Sequence, residues 1–452
     1  MPLILGANSV SGYTVKNSLR FNSGSSDYLN RTPASSTNRK TFTFSKWVKR
    51  SDLSNITTIF STGANSTTNG FLAFFFDSTG YLKTYIYETN NKEVRTNSVY
   101  RDSSAWYHIV LAVDTTQATA SNRVKIYVNG SQVTDVSLTN SGYPSQNFDL
   151  LVNSTTEQRI GVYKDSGGNL GQYWNGYMSE IYSIDGQALT PSSFGETDTL
   201  SGIWIPKAYT GSYGTNGFEL EFKNSASLGT DSSGNANTFT VNNLTSVDQS
   251  TDTPTNNFAT LNPLAVFNTT SPAYSEGNLK ATWSSGGNSY TNGTFLLSKG
   301  KWYFEVKGST NDCAIFARDP SNYTDFDGTY GFSNANGNKI TNGSSSASQS
   351  AGASNDILQM ALDMDNNKLW VGRNGTYFAS GDPSAGTNAF ISSLPTDLVP
   401  SFQNYGNNIQ ANFGSPIYSA NSYTDGAGFG NFSYAVPAGY YSLCTKNLAN
   451  FG

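Results

Sequence analysis

The chain has 452 residues, so at a common domain length of about 150 it is expected to hold roughly two to four domains rather than one core. Charged residues make up 13%, whereas a helical protein would draw heavily on Glu and Lys, and the 27 Tyr and 27 Phe exclude a disordered chain. The net charge of −5, with Lys and Arg scattered singly, leaves no basic stripe for nucleic acid, and no run of about 18 apolar residues is present to span a membrane.

In chain order, residues 1–17 hold a short apolar stretch, Leu3–Leu5, without a basic leader or a cleavage site. This segment is expected to be an N-terminal extension or anchor rather than a signal peptide. Thr41–Val48 (TFTFSKWV) and Arg123–Val128 (RVKIYV) alternate polar and apolar residues, the pattern of half-buried strands. Phe71–Phe76 (FLAFFF) is apolar throughout and reads as a strand covered on both faces. Asn129-Gly130 and Asp185-Gly186 are hairpin signals, and Pro191–Phe194 reads as a short helix with Thr190 as its N-cap. Residues 206–275 hold few apolar runs and a polar stretch, Asp248–Asn257, so they read as a linker with strand character at Gly217–Phe222 and Thr238–Val241. Strands resume at Lys301–Val306, Ile357–Met364, Lys368–Val371 and Ile409–Phe413, and the low-complexity Thr341–Ser354 reads as a mobile loop. The expected organisation is a β domain over 18–205, the linker, a second β domain over 276–418 and a C-terminal extension over 419–452. The cysteines, Cys313 and Cys444, lie far apart in sequence and do not make a disulfide framework.

Ordered motifs carry two family resemblances. Phe42–Arg50, the Trp106-Tyr107-His108 strand, Val124–Val133 (VKIYVNGSQV) and Ile160-Gly161 with Trp174–Tyr182 (WNGYMSEIY) resemble the laminin-G-like branch of the concanavalin A-like superfamily, across about 18–201. Lys301–Val306 (KWYFEV), Ile357–Gly375 and Leu398–Gly414 resemble the SPRY (B30.2-like) sandwich. These resemblances imply an all-β fold of two concanavalin A-like antiparallel β-sandwiches, of jelly-roll type, in tandem. Phe222–Leu264 with its neighbours resembles structural proteins of marine tailed phages, typically fibres or receptor-binding parts.

Catalytic patterns are largely missing. No Glu begins the Glu-x-Asp-x-x-Glu triplet that would set glycosidase carboxylates on one strand face, although a pair assembled from distant strands stays open. The sole histidine, His108, sits at a laminin-G pattern position and reads as structural; no G-x-S-x-G elbow, zinc spacing or Walker or Rossmann glycine pattern occurs. The chain is therefore read as a binding protein and not an enzyme. The sugar-binding candidates in the first domain are Tyr163, Asp165, Asn169, Tyr173 and Trp174, because flat rings beside Asp and Asn suit sugar faces and hydroxyls. Trp174 could equally pack the strand. Asp165 and Asn169 could also hold calcium, though their spacing falls short of an EF-hand. No other cofactor is expected. In the second domain Tyr323, Asp325, Asp327 and Tyr330, with Arg318, are expected in a binding loop, against the alternative of an ordinary solvated turn region. Asp363, Asp365 and Asn374-Gly375 are read as turn-holding residues, and Trp302 and Trp370 as core.

The resemblances imply a virion adhesin, a tail fibre or receptor-binding protein, made in a host cytoplasm and displayed on the virion surface. Its partners would be a host surface glycan or protein, and other virion proteins through the N-terminal segment; neither nucleic acid nor membrane insertion is expected. A homo-oligomer is expected, since fibres of this kind are usually trimers, and it would have to form through the sandwiches or residues 1–12, because the sequence has no coiled-coil heptad or collagen repeat. A capsid decoration or head-fibre protein and a polysaccharide depolymerase are the alternatives.

Overall fold

The computed structural model describes residues 12–267, 272–284, 290–308, 314–318, 328–403 and 407–452, with backbone alone at 266–267 and 314–318. The chain divides into two compact units that meet in sequence at Thr255/Asn256.

The first unit, Ser9–Thr255, takes twenty strands. They are β1 (Ser18–Phe21), β2 (Tyr28–Arg31), β3 (Thr41–Arg50), β4 (Thr57–Thr62), β5 (Leu72–Phe76), β6 (Tyr81–Glu88) and β7 (Asn90–Val99). Then come β8 (Trp106–Asp114), β9 (Val124–Val128), β10 (Ser131–Gln132), β11 (Val136–Thr139), β12 (Gln158–Ile160), β13 (Tyr163–Lys164) and β14 (Leu170–Gly171). The last are β15 (Gly176–Asp185), β16 (Gly195–Thr197), β17 (Trp204–Pro206), β18 (Phe218–Leu220), β19 (Thr240–Asn242) and β20 (Gln249–Ser250). One sheet runs β10-β9-β8-β3-β15-β1-β20, with β18 also on β15; the facing sheet runs β11-β7-β6-β5-β4-β12-β2-β19. Their inward residues, among them Phe42, Phe44, Phe60, Phe74, Phe76, Ile86, Leu111 and Trp174, form one core, so this unit is a sandwich.

One strand expectation is reversed, and a second is met at all but one residue. Strand β3, expected to be half-buried, is buried on both faces from Phe42 to Arg50. Its outer face is roofed by later chain: Thr43 bonds Gln187 and Leu189, and Lys49 pairs with Asp252. Strand β5 is covered on both faces as expected, with Phe71, Leu72, Ala73, Phe74 and Phe76 fully buried and Phe75 alone half-exposed.

Asn129-Gly130 does turn β9 into β10, with φ of 47° and 82° at the two residues. Asp185-Gly186 makes no hairpin. Asp185 instead gathers Thr37 Oγ1, Asn153 Nδ2 and the Asn216 N–H within 3.0 Å. The short helix is a 3₁₀ turn, Pro191–Ser193, and the Thr190 side chain makes no capping bond. The expected linker over 206–275 is also corrected. Its first fifty residues belong to the first unit: β18, β19 and β20 pair with β15, β2 and β1, and Phe218, Leu220, Phe222 and Phe239 enter the core. The polar stretch there supplies counter-ions, Asp248 to Arg20 at 3.2 Å and Asp252 to Lys49 at 2.8 Å.

The second unit continues with β21 (Leu261–Phe267), β22 (Ala273–Ser275), β23 (Lys280–Thr282), β24 (Tyr290–Gly293), β25 (Lys301–Gly308), β26 (Ala314–Arg318), β27 (Thr329–Ser333) and β28 (Asn338–Thr341). It ends with β29 (Ser344–Ala347), β30 (Ile357–Asp363), β31 (Lys368–Arg373), β32 (Thr376–Tyr377), β33 (Val399–Gln403), β34 (Asn408–Asn412), β35 (Tyr441–Ser442) and the helix α1 (Thr445–Phe451). The sheets run β21-β24-β33-β26-β27-β28-β29 and β22-β23-β34-β25-β30-β31-β32, the latter with β35 parallel to β25. Between them pack Trp302, Phe304, Phe332, Met360, Phe402 and Phe413, so this unit too is a sandwich. Trp302 and Trp370 are core as expected, their indole N–H groups donating to Lys299 O and Thr387 O. Asp363 holds its turn by accepting the Asn366 N–H, whereas Asp365 and Asn374, read as turn-holding, accept instead from the distant Gly300 and Ile357 N–H groups. Within the expected mobile loop, Ser344–Ala347 pairs as an exposed edge strand.

The C-terminal stretch is not an extension. Phe432, Tyr440 and Leu443 are buried, and the Glu305 carboxylate, itself fully buried, accepts the N–H groups of Ser433 and Tyr434 at 2.9 Å. Cys444 is a buried thiol, while Cys313 lies outside the described residues.

Candidate functional site

The outer face of the β11-to-β19 sheet is built by strict alternation. On β6, Leu82, Thr84 and Ile86 turn inward, which leaves Tyr81, Lys83, Tyr85 and Tyr87 outward. Register places Tyr85 between Ala73 and Glu93, Lys83 between Phe75 and Arg95, and Tyr87 opposite Asn91. Phe71, Ala73 and Tyr85 form a small buried cluster on this face, with Phe75, Tyr87 and Tyr163 packed against it and half-exposed. The Phe71 ring stands edge-on to Tyr85 and Tyr163, at centroid distances of 5.9 and 5.6 Å. Tyr85 is locked by its hydroxyl, whose single proton is offered to Asn91 Oδ1 at 2.8 Å, with Ser66 O also within reach at 3.2 Å. Burial pushes this phenol up to about 12.

The β13–β14 hairpin walls one side of this platform, and Tyr163 is the candidate it contributes. At the hairpin tip Asp165 and Asn169 are turned onto each other: Asp165 Oδ1 accepts the Asn169 N–H at 2.8 Å, and Oδ2 accepts Asn169 Nδ2 at 3.2 Å. These bonds, the backbone one foremost, hold the Asp165 carboxylate below its usual range. The pair does not fit calcium, because the amide donors occupy the carboxylate oxygens and no third acidic group joins them. Among the described residues no three His, Cys, Asp or Glu side chains gather as a metal site.

Tyr173 packs on Tyr28, ring centroids 6.3 Å apart, rather than on the Tyr163 cluster. Trp174 is overturned as a ligand residue: it is fully buried, 6.1 Å from the Phe76 ring, because it falls on the inward register of the core. In the second unit Tyr323, Asp325 and Asp327 lie outside the described residues. Tyr330 is not in a loop. It sits on β27 opposite Ala317 and Thr341, half-buried against the core.

His108 is structural. Trp204 Nε1 donates to its Nδ1 at 2.9 Å, which leaves Nε2 to carry the proton and donate to Ser45 Oγ at 2.8 Å. A base for Ser45 would need the opposite tautomer. Burial lowers the imidazole to about 3, so it stays neutral.

The structure does assemble carboxylates from separate strands. Glu180 sits at the bulge of β15 with φ of 49°, and its Oε2 accepts both Tyr13 and Tyr182 hydroxyls. Burial raises it to about 7, with Glu221 and Glu219 adding to the rise. A cavity of about 480 Å³ opens beside it, lined also by Lys16, Asn17, Glu221 and Lys223.

Sequence reasoning missed the face residues Phe75, Tyr81, Lys83, Tyr85, Tyr87 and Arg95. The signal was present in YLKTYIYE, where every second residue from Tyr81 is aromatic or cationic. Glu180 left no signal, since only the bulge turns it.

Fold and site together define an all-β protein of two sandwiches, one of which presents an open aromatic sheet face. Residues 23–193 match the profile of the concanavalin A-like lectin/glucanases superfamily, laminin-G type, so the first sandwich is a concanavalin A-like domain. No curated protein matches the chain in sequence. Among solved structures, the SPRY domain of human HERC1 is 16% identical, with 33% of this chain and 96% of that one covered at a TM-score of 0.27. A heptameric SAP-like pentraxin from Limulus polyphemus is 18% identical, with 39% and 80% covered at 0.28. The CBM40 of a Ruminococcus gnavus sialidase, bound to α2,3-sialyllactose, is 11% identical, with 36% and 88% covered at 0.26. Similarity at this level transfers no ligand.

Proposed function

We propose that this protein is a virion-surface adhesin that binds a host surface glycan reversibly, through the open aromatic face of its first sandwich, without cleaving it. The observation that carries the reading is the row of half-exposed rings, Phe75, Tyr87 and Tyr163, beside the amide of Asn91 on one sheet face. Sugar C–H faces pack on aromatic rings, and amides bond the hydroxyls around them. The virion setting rests on the resemblance of Phe222–Leu264 to phage structural proteins. Copies of the chain on one particle would add avidity to a weak single site.

The test is binding of the purified chain to immobilised host surface glycan, with released reducing sugar scored in the same wells. Saturable binding without release is expected, and Tyr87→Ala should weaken it about tenfold, equivalent to about 1.4 kcal/mol. Retention on purified capsids with no glycan binding would replace this reading with that of a decoration or head-fibre protein. Hydrolysis has one observation in its favour, the buried Glu180 beside a cavity with Glu221. Sugar release that disappears in Glu180→Gln would establish it.

A further inference from the structure

Two cations stand side by side on the open face. Lys83 on β6 lies directly across from Arg95 on β7, an arrangement that is destabilising for like charges. Lys83 is answered by Asp77, with Nζ 3.3 Å from the carboxylate. Arg95 has no carboxylate partner among the described residues. Its guanidinium lies 4.5 Å from the Tyr81 ring centroid, Nη2 donates to Ser137 Oγ at 3.4 Å, and its buried Nε–H finds no acceptor among the described residues. Glu93, two residues away on the same face, is engaged elsewhere, with Oε2 accepting from Thr139 Oγ1 at 3.3 Å. The Tyr81 ring holds the guanidinium at this edge of the face, and a planar guanidinium fork favours a carboxylate or sulfate over a neutral hydroxyl.

Building on the glycan-binding reading above, we infer that this face selects sugars bearing an oxyanion, a uronate carboxylate or a sulfate ester, and that Arg95 is the residue that reads the charge. Tyr87 and Phe75 supply the stacking surface, and Arg95, on the same sheet face across Lys83 from Phe75, discriminates. The whole chain carries a net charge of −5 and so offers polyanions no general attraction. Affinity for them must come from a local site.

The experiment uses the full chain in affinity electrophoresis through alginate, dextran sulfate and neutral laminarin, comparing wild type with Arg95→Gln, Arg95→Lys and Tyr87→Ala. At least one anionic polymer should bind about tenfold tighter than laminarin, and the comparison of alginate with dextran sulfate separates carboxylate from sulfate. Arg95→Gln should remove that preference, Arg95→Lys should keep part of it, and Tyr87→Ala should weaken binding to every polymer that is retained. Laminarin binding equal to alginate and dextran sulfate binding, lost in Tyr87→Ala but unchanged in Arg95→Gln, would overturn the charge selection and leave the glycan reading standing. Anionic binding that survives in both Arg95→Gln and Tyr87→Ala would place the ligand off this face and overturn both, as would no retention by any polymer.

Discussion

Two buried ionisable side chains in the first sandwich respond to pH with opposite signs. Lys46 points into the core between Phe44 and Phe60, its Nζ 5.3 and 5.6 Å from their ring centroids, and it has no hydrogen-bond partner among the described residues. Burial lowers its amine to about 7 from an ordinary 10.5. Between those values the unfolded chain holds the extra proton, so this group's contribution to stability rises with pH from about 7 to 10.5. Lys46→Met keeps the stem and removes the amine, and should raise stability by about 1–3 kcal/mol at pH 7, read as a higher urea midpoint. Glu180 runs the other way. Its folded value near 7 lies above the ordinary 4.5, so the folded state holds the extra proton and stability falls as pH rises from 4.5 to 7. His108, lowered to about 3, contributes the reverse slope up to 6.5, so the wild-type profile alone is mixed. The difference between wild type and Glu180→Gln isolates the carboxyl: its slope should appear below pH 7 and be flat above.

At the scale of elements, the Trp204 ring of β17 ties the β9–β10 turn to the start of β16. A Cβ added at Gly130 would meet the Trp204 ring at 2.5 Å, and one at Gly195 would meet it at 2.6 Å, so the indole lies between two glycines. From there its N–H reaches His108, which in turn stacks on Trp47 at 4.9 Å. Gly130 also needs φ of 82°, which an L side chain adopts with strain. Gly130→Ala should therefore cost about 1–3 kcal/mol, a drop of several degrees in Tm by calorimetry. A wild-type melting curve in that variant would mean that the turn and ring are not coupled. The NG pair was legible as a hairpin because its demand is local. Its clamp on Trp204 was not, since 74 positions of chain separate the two residues.

The whole-molecule consequence concerns where the first unit ends. A fragment cut at residue 205 would lose Phe218, Leu220, Phe222 and Phe239 from the core. It would also strand Arg20 and Lys49 without Asp248 and Asp252, and removing one partner of a buried ion pair typically costs about 3–5 kcal/mol. Residues 9–255 are expected to melt cooperatively, whereas residues 18–205 should show no cooperative transition and should bind a hydrophobic dye. Similar cooperative melting of the two fragments would return 206–255 to the role of a linker. In the second unit the same logic makes 419–452 integral, because Phe432, Tyr440 and Leu443 are buried and Glu305 holds the chain at Ser433 and Tyr434.

By itself the sequence determined the class of fold: alternation, turn pairs and ordered motifs such as VKIYVNG act between near neighbours, and they specify strands and their hairpins. The burial of Trp302 and Trp370 and the turn at Asn129-Gly130 follow from that local information. Only the tertiary structure decided which faces stay open. Period-two patterning has the same form whether later chain roofs a strand, as on β3, or leaves its outward side chains half-exposed, as at Tyr81, Lys83 and Tyr87 on β6. It likewise put Trp174 in the core, set Lys83 beside Arg95, and brought Glu180 to a cavity through a bulge that no spacing announces. Burial and charge juxtaposition depend on residues distant in the chain, which is why the recognising face emerges only once the sheets are packed.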